Sequence, residues 1–343
     1  MNEFQLPIYA VFTLAFIISL LLNKLSLNFK NFSKQDIYNQ KRLSSLKVPT
    51  YGGISMSLAF LVSTRLLGKA DFEIIQIAIY SVVITLIGFV DDRYNLIWKI
   101  KLFLQLVAVG TPIYLLDIYL NVEQLFGINL NNFLNLFSTV VWILLIVNSL
   151  NFLDNMDGLA ATIASMIAIS MAILSFITNQ YKLTDLSIVL IASMLGFLYF
   201  NIPKAKIYMG DSGSLFLGYC LGFISILFSW NSDMESSWMF QIQPVILFFT
   251  IPIIDFLTVT ISRIKSGNSP MTGGTDHISH RLLKKGFTNN QVLFIFVLFS
   301  LLILIITLGI IYLNKIISLI FLFVYILLVV VSLIYFLNLE ILD

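Results

Sequence analysis

The side chains of this chain that could do chemistry lie in a few short clusters. Asp91 and Asp92 are adjacent at the end of an apolar run. Two neighbouring carboxylates repel and resist desolvation unless a cation or a metal offsets them, although a solvated helix end also accommodates such a pair. Lys101 and Gln105 follow at i to i+4 spacing, which turns a cation and an amide toward the same pocket. Further on, Asn148, Asn151 and Asp154 recur every three residues, and Asp157-Gly158 carries the set into a turn. Such converging oxygens suit a hard divalent cation such as Mg²⁺, which is held by one or two carboxylates plus substrate phosphates. A capped turn uses the same residue types, but four acids and amides at a membrane edge exceed what a cap requires.

Gly210-Asp211-Ser212-Gly213-Ser214 precedes an apolar run from Leu215, so its backbone N–H groups are expected at a helix N-terminus, where anions are favoured. Asp211 there is either a cap or the holder of a metal whose other ligands are phosphate oxygens. Asp276-His277-Ile278-Ser279-His280-Arg281 contains the only two histidines of the sequence. Their i to i+3 spacing would put both rings on one helical face, yet no third nitrogen or sulfur ligand is nearby, which argues against zinc. Flanked by Arg263, Lys265, Arg281, Lys284 and Lys285, they suit a diphosphate, donating to its oxygens. Asp255 lies inside an apolar run after Pro252; a carboxylate at that depth needs a partner, and the residue reads as structural.

The elements that position these clusters must be membrane helices. The 343 residues are 59% hydrophobic and 11% charged, with a mean hydropathy of +0.95, which excludes a water-soluble fold. Apolar runs of about twenty residues recur, the length that crosses roughly 30 Å of hydrocarbon as a helix. Runs such as 292–312 are apolar on every face, unlike the alternating strands of a transmembrane barrel. The sequence predicts an all-α integral membrane protein forming a single domain over 1–343. Its spans are expected near 6–27, 52–68, 73–90, 99–118, 134–152, 158–178, 185–200, 214–230, 244–262, 291–313 and 316–337. That makes about eleven transmembrane helices (10 to 11). The first run, Pro7 to Leu22, lacks a small-residue cleavage site and is expected to be a retained helix with no soluble domain before it. The lone Cys220 provides neither a disulfide framework nor a cysteine metal site.

Counting connections alternately puts Lys30, Lys34, Lys41, Arg42, Lys47, Arg93, Lys99, Lys101, Lys204, Lys206, Arg263, Lys265, Arg281, Lys284 and Lys285 on one side. Only Lys69, Lys182 and Lys315 fall on the other. Because Lys and Arg concentrate in cytoplasmic loops, the expected topology has the N-terminus outside and the C-terminus in the cytoplasm. The same alternation, which used only basic residues, gathers the polar clusters on the cytoplasmic side, in loops near 28–51, 91–98, 153–157, 201–213 and 263–290.

Taken together, the clusters resemble those of the polyprenyl-phosphate N-acetylhexosamine-1-phosphate transferase family, which includes the phospho-MurNAc-pentapeptide translocase. The resemblance spans most of the chain. It rests on Pro49-Thr50-Tyr51-Gly52-Gly53, on Asp91-Asp92 with Lys101 and Gln105, and on Asn151-Phe152-Leu153-Asp154-Asn155-Met156-Asp157-Gly158. Gly210-Asp211-Ser212-Gly213-Ser214 and the stretch from Arg263 to Arg281 complete it.

The resemblance implies transfer of a sugar 1-phosphate from a UDP-sugar to undecaprenyl or another polyprenyl phosphate, with release of UMP. This would be the priming step of a cell-envelope polysaccharide such as O-antigen, teichoic acid or capsule. It implies Mg²⁺, with Mn²⁺ as substitute, a UDP-N-acetylhexosamine donor, a bacterial inner-membrane location and an active site facing the cytoplasm. A homodimer is among the expected partners; nucleic acid is not. Carried over residue by residue, Asp91, Asp92, Asp154, Asp211 and Lys101 are the expected catalytic residues. Asp211 and Asn151 are the expected metal ligands. Asn148, Asn151, Asp157, His277, His280, Arg281, Arg263 and Lys47 are expected to bind substrate, with Asp157 resembling the position that contacts uracil. A lipid-facing groove would admit the polyprenyl chain.

The chain also departs from the pattern. The translocase branch carries three consecutive histidines, whereas His277 and His280 are separated, which favours the priming branch. Many members have glycine at the position of Asn155 and a further histidine at that of Ser279. These differences bear on the sugar rather than on the reaction. The alternatives are the translocase reaction itself, an intramembrane prenyltransferase, which leaves Gly210–Ser214 and the histidine loop without a role, and an ion-coupled transporter, whose mid-membrane acids only Asp255 could represent.

Overall fold

The structure, a computed structural model, describes residues 6–28, 48–67, 71–120, 132–228, 244–270 and 274–339. Those residues form twelve α-helices. They are α1 (Ile8–Ser26), α2 (Gly52–Leu66), α3 (Phe72–Tyr94), α4 (Trp98–Leu116), α5 (Asn132–Leu153) and α6 (Leu159–Ile177), then α7 (Tyr181–Asn201), α8 (Gly210–Leu227), α9 (Thr250–Lys265), α10 (Ile278–Lys284), α11 (Asn289–Tyr312) and α12 (Lys315–Asn338). A 3-10 turn, Pro244–Phe249, leads into α9. Among the described residues ten helices are long and apolar enough to cross a membrane, the 3-10 turn counting with α9, and α2 is a shorter apolar helix of 15 residues. The protein is therefore an all-α, multi-pass membrane protein; the ten long apolar helices among the described residues stand at the lower end of the 10 to 11 spans the sequence predicts, the run near 52–68 forming the shorter α2.

The helices differ in how much protein surrounds them. α8 is enclosed on nearly every side, packing on α3, α5 and α2, whereas α12 touches α11 and α9 and is otherwise exposed. In lipid, helices associate through close packing, so small residues gather where backbones must approach. Gly88 of α3 shows this at the site end of the bundle: a Cβ there would lie 2.5 Å from the backbone of Asp211 and Ser212.

The first turn of α8 departs from the sequence expectation. A loop was expected up to Ser214, but the helix begins at Gly210, so Asp211 and Ser214 both lie in it. The cause is an external cap. The carboxylate of Asp92 accepts hydrogen bonds from Asp211 N (2.8 Å) and Ser212 N (3.2 Å), two of the amide groups a helix start leaves without partners. Gly210 has φ +72°, and a Cβ there would lie 2.4 Å from Asp92 Oδ2, so a larger residue would be both strained and in collision with the cap.

The Pro49–Gly53 segment is tied to the same turn. Tyr208 N donates to Pro49 O (2.8 Å), and Gly52 N and Gly53 N donate to the carbonyls of Tyr208 and Met209 (both 3.2 Å). Lys47 and most of the expected 28–51 loop lie outside the described residues.

Candidate active site

The C-terminal ends of α3 and α5 and the N-terminal ends of α4 and α8 meet in a cage of charged and amide side chains. Lys101 Nζ lies 2.8 Å from Asp91 Oδ2 and 2.5 Å from Asp211 Oδ2. Asn151 Nδ2 donates to the other oxygen of Asp211 and to Ser214 Oγ, both at 2.8 Å. Asp91 also accepts from Leu96 N at 2.8 Å, which fixes the turn that separates α3 from α4. One helical turn deeper, Asn148 Nδ2 bonds Gln105 Oε1 at 3.1 Å, while Gln105 Nε2 is buried without a hydrogen-bond partner. The i to i+4 face predicted for Lys101 and Gln105 is thus present, with its two members on successive rungs.

The Asn/Asp turn after α5 joins the cage to the α7–α8 connection. Asp157 Oδ2 accepts from Ala205 N at 3.0 Å. Gly158 N donates to Asn201 Oδ1 at 3.1 Å, and Asn201 Nδ2 in turn bonds Ile207 O at 2.8 Å. Asp154, half-buried, continues the turn from Asn151 O through its own N–H.

A second assembly surrounds the histidines. Asp255, whose partner the sequence could not name, receives His277 Nδ1 at 2.9 Å on one oxygen and Ile278 N at 2.8 Å on the other. It therefore orients the imidazole and caps α10 at the same time. Arg263 forms a bidentate pair with Asp276 (2.8 and 2.7 Å) and bonds Pro270 O, and its guanidinium lies 5.6 Å from the Phe152 ring centroid. Arg281 donates to Asp276 O, Ser262 Oγ, Phe336 O and Leu339 O at 2.6 to 2.9 Å, closing the C-terminal end of α12. Both arginines were expected to bind substrate; in this structure each is buried and engaged by the protein itself. His280 is 3% exposed and its Nδ1 has no hydrogen-bond partner. Burial, with the His277 ring beside it, pushes the His280 imidazole down to about 4, so it is neutral at pH 7. Burial alone would raise Asp276, but the Arg263 guanidinium holds it below the usual carboxylate range.

The two assemblies meet at the end of α5. The Phe152 ring lies 5.9 Å from that of His277 and 5.2 Å from that of Phe256, and Ser279 Oγ donates to Asn155 Oδ1 at 2.5 Å. Asp91, Asp92, Lys101, Asn151, Asp211 and His277 therefore share one end of the bundle. Sequence reasoning flagged Asp255 as a structural carboxylate without naming its partner His277, and it missed Ser279 as a positioning residue, for which the sequence carries no local signal.

Among the described residues no three His, Cys, Asp or Glu side chains enclose a metal ion by themselves. The donor set nevertheless fits a hard divalent cation that takes its remaining ligands from water and phosphate. The carboxylates of Asp91 and Asp211 already share one positive group, the Lys101 ammonium. Asn151 turns its amide nitrogen toward Asp211 and so orients that carboxylate. An apolar cleft of about 420 Å³ opens beneath α10, between α9, α11 and α12, with Ile278 and Leu282 of α10 in its lining.

Comparison with known proteins follows the same residues. Positions 74–229, which contain the whole cage, match the sequence profile of Glycosyl transferase family 4. A probable undecaprenyl-phosphate N-acetylglucosaminyl 1-phosphate transferase of Bacillus subtilis (strain 168) is 30% identical over 250 residues, covering 71% of this chain and 68% of that protein. A decaprenyl-phosphate N-acetylglucosaminephosphotransferase of Mycobacterium leprae is 28% identical over 272 residues, with coverage of 71% and 68%. A phospho-N-acetylmuramoyl-pentapeptide-transferase of Rickettsia prowazekii is 35% identical over 212 residues, covering 52% of this chain and 58% of that protein.

Proposed function

The chain belongs to glycosyl transferase family 4, and on that premise we propose that it transfers an N-acetylhexosamine 1-phosphate from a UDP-sugar to a polyprenyl phosphate. It is an enzyme, and its transferred group and acceptor are read from relatives whose names specify a polyprenyl-phosphate acceptor. The observation that carries the proposal is the cage: two carboxylates sharing one ammonium, with an amide fixing Asp211, at the membrane end of four helices.

In the proposed step an oxygen of the lipid phosphate attacks the β-phosphorus of the donor, the new P–O bond forms, and the bond to the α-phosphate breaks to release UMP. Mg²⁺, held by Asp211 and Asp91, would neutralise charge on the diphosphate. Lys101 supplies a second positive group against the same phosphates, and catalysis is chiefly positioning and electrostatics. The attacking phosphate has a second pKa of about 6 and is largely ionised at neutral pH, so no dedicated base is required. Asp92 acts through Asp211, whose backbone it holds. His277, its Nδ1 engaged by Asp255, keeps Nε2 for a donor phosphate oxygen, and neutral His280 provides a further hydrogen-bonding nitrogen.

We place this site on the cytoplasmic face of a bacterial inner membrane, with the N-terminus outside, because the Lys and Arg asymmetry favours it. The lipid phosphate is confined to that interface by its tail, and the nucleotide sugar arrives from the cytosol. Transfer of a phospho-N-acetylmuramoyl-pentapeptide group from its UDP-linked donor is the second reading, favoured by identity to the Rickettsia protein. Purified protein given UDP-GlcNAc, undecaprenyl phosphate and Mg²⁺ should release UMP only when all three are present. UMP release without the lipid would overturn the proposal, and a panel of UDP-sugars identifies the donor.

A further inference from the structure

Three sets of hydrogen bonds hold the histidine helix α10 in place. Two of them tie it to elements that follow the cage in sequence: Asp255 of α9 receives His277 and Ile278 N, and Arg281 reaches Ser262 and the end of α12. The third crosses to the other assembly. Ser279 Oγ donates to Asn155 Oδ1, linking residues 124 apart in sequence. Asn155 is itself fixed, its Nδ2 donating to Phe152 O at 2.9 Å. Asn155 is 5% exposed and Ser279 1%, so neither bond competes with solvent. The turn that Asn155 belongs to follows Asn151 and carries Asp154 and Asp157, and the helix that Ser279 belongs to carries His280 with its unpartnered Nδ1.

We propose that the Asn155–Ser279 hydrogen bond is a latch that sets how the histidine helix closes on the Asn/Asp turn, and that it governs capture of the nucleotide-sugar donor rather than the transfer step. The inference rests on the phosphosugar transferase reading above. Both residues are positioning residues: they act through the histidines and through the turn, and neither presents a free polar group to a phosphate.

The test is a double-mutant cycle read by UMP release from full-length protein in detergent, with donor and lipid acceptor titrated separately. Ser279→Ala removes a single heavy atom and serves as the variant least able to disturb folding. Ser279→Ala and Asn155→Ala should each raise the donor KM about 5- to 10-fold, the effect of one buried hydrogen bond, with kcat and acceptor KM within about twofold. Asn155→Ala/Ser279→Ala should be no worse than the poorer single variant. Ser279→His alone should be the most impaired of the set, because the imidazole meets Asn155, and adding Asn155→Gly should recover most of the loss. Additive effects in both pairs, or losses confined to kcat, would overturn the latch while leaving the reaction standing. Absence of UMP release from the wild-type protein would overturn the functional reading, and the latch's role with it.

Discussion

The cage and the histidine assembly are both dense in charge, yet they use charge differently. In the cage, Asp91, Asp211 and Lys101 come from three helix ends and are matched mainly to one another, two acids to one base. In the histidine assembly every charged group described has a protein partner of its own: Arg263 with Asp276, Arg281 with four oxygens, Asp255 with a ring and a backbone N–H. What remains open there is a neutral imidazole nitrogen. The comparison teaches that abundance of charge does not mark the reacting centre. Where charges are satisfied within a module they determine its shape; where acids outnumber bases at a helix junction, a cationic ligand is favoured.

Substitutions in the two regions should therefore fail in different ways. Asp211→Asn keeps a polar side chain of the same shape and removes one charge from the cage. It should lower UMP release by about 10²- to 10³-fold or more while the melting temperature in detergent stays close to wild type; activity within tenfold of wild type would refute the cage as the reacting centre. Arg263→Met leaves the Asp276 carboxylate without its bidentate partner and should cost about 3 to 5 kcal/mol of stability, read as a lowered melting temperature, with activity falling in proportion to folded protein. If it instead abolished activity in a fully folded protein, Arg263 would belong with the substrate-binding groups.

The pH dependence sharpens the contrast further. His280 is held at about 4 in the folded protein against 6.5 as its ordinary value, so between those two values the unfolded chain takes up a proton that the folded one does not. Stability from this group is complete above about pH 6.5 and is lost as pH falls toward 4, by about 3 kcal/mol in total. His280→Gln should flatten that part of the unfolding profile; an unchanged profile would show that the imidazole does not remain neutral in the fold. The smallest effect is expected at Asp92. Asp92→Asn keeps one acceptor for the first turn of α8 and should cost about 1 kcal/mol, with activity reduced less than tenfold. A loss as deep as that of Asp211→Asn would make Asp92 a reacting group rather than a positioning one.

Much of this organisation was legible in the sequence because lipid makes the rules strict. Helices must satisfy their own backbone, so the spans follow from apolar run length, and the polar clusters at their ends stand out against an apolar background. The pairing of Lys101 with Gln105 on one face and of Asn148 with Asn151 on the next helix followed from helical periodicity. What the sequence did not reveal were contacts between distant segments. Asp92 and Asp91 look alike as neighbours, and only the crossing of α3 with α8 shows that one caps a helix while the other faces Lys101. The partners of Arg263 and Arg281 were equally hidden, because a local basic loop carries no sign of the carboxylate and carbonyls that fold back onto it. Asp255 was recognised as needing a partner, but His277 lies 22 residues away across a loop.

The central claim, that the cage moves a phosphosugar and not a sugar alone, is tested most directly by following the donor's β-phosphate. With UDP-GlcNAc labelled there by ³²P, purified protein, undecaprenyl phosphate and Mg²⁺ should transfer the label to the lipid phase and leave UMP unlabelled, and Asp211→Asn should abolish that transfer. Label retained in a water-soluble UDP product while the sugar enters the lipid phase would contradict the account.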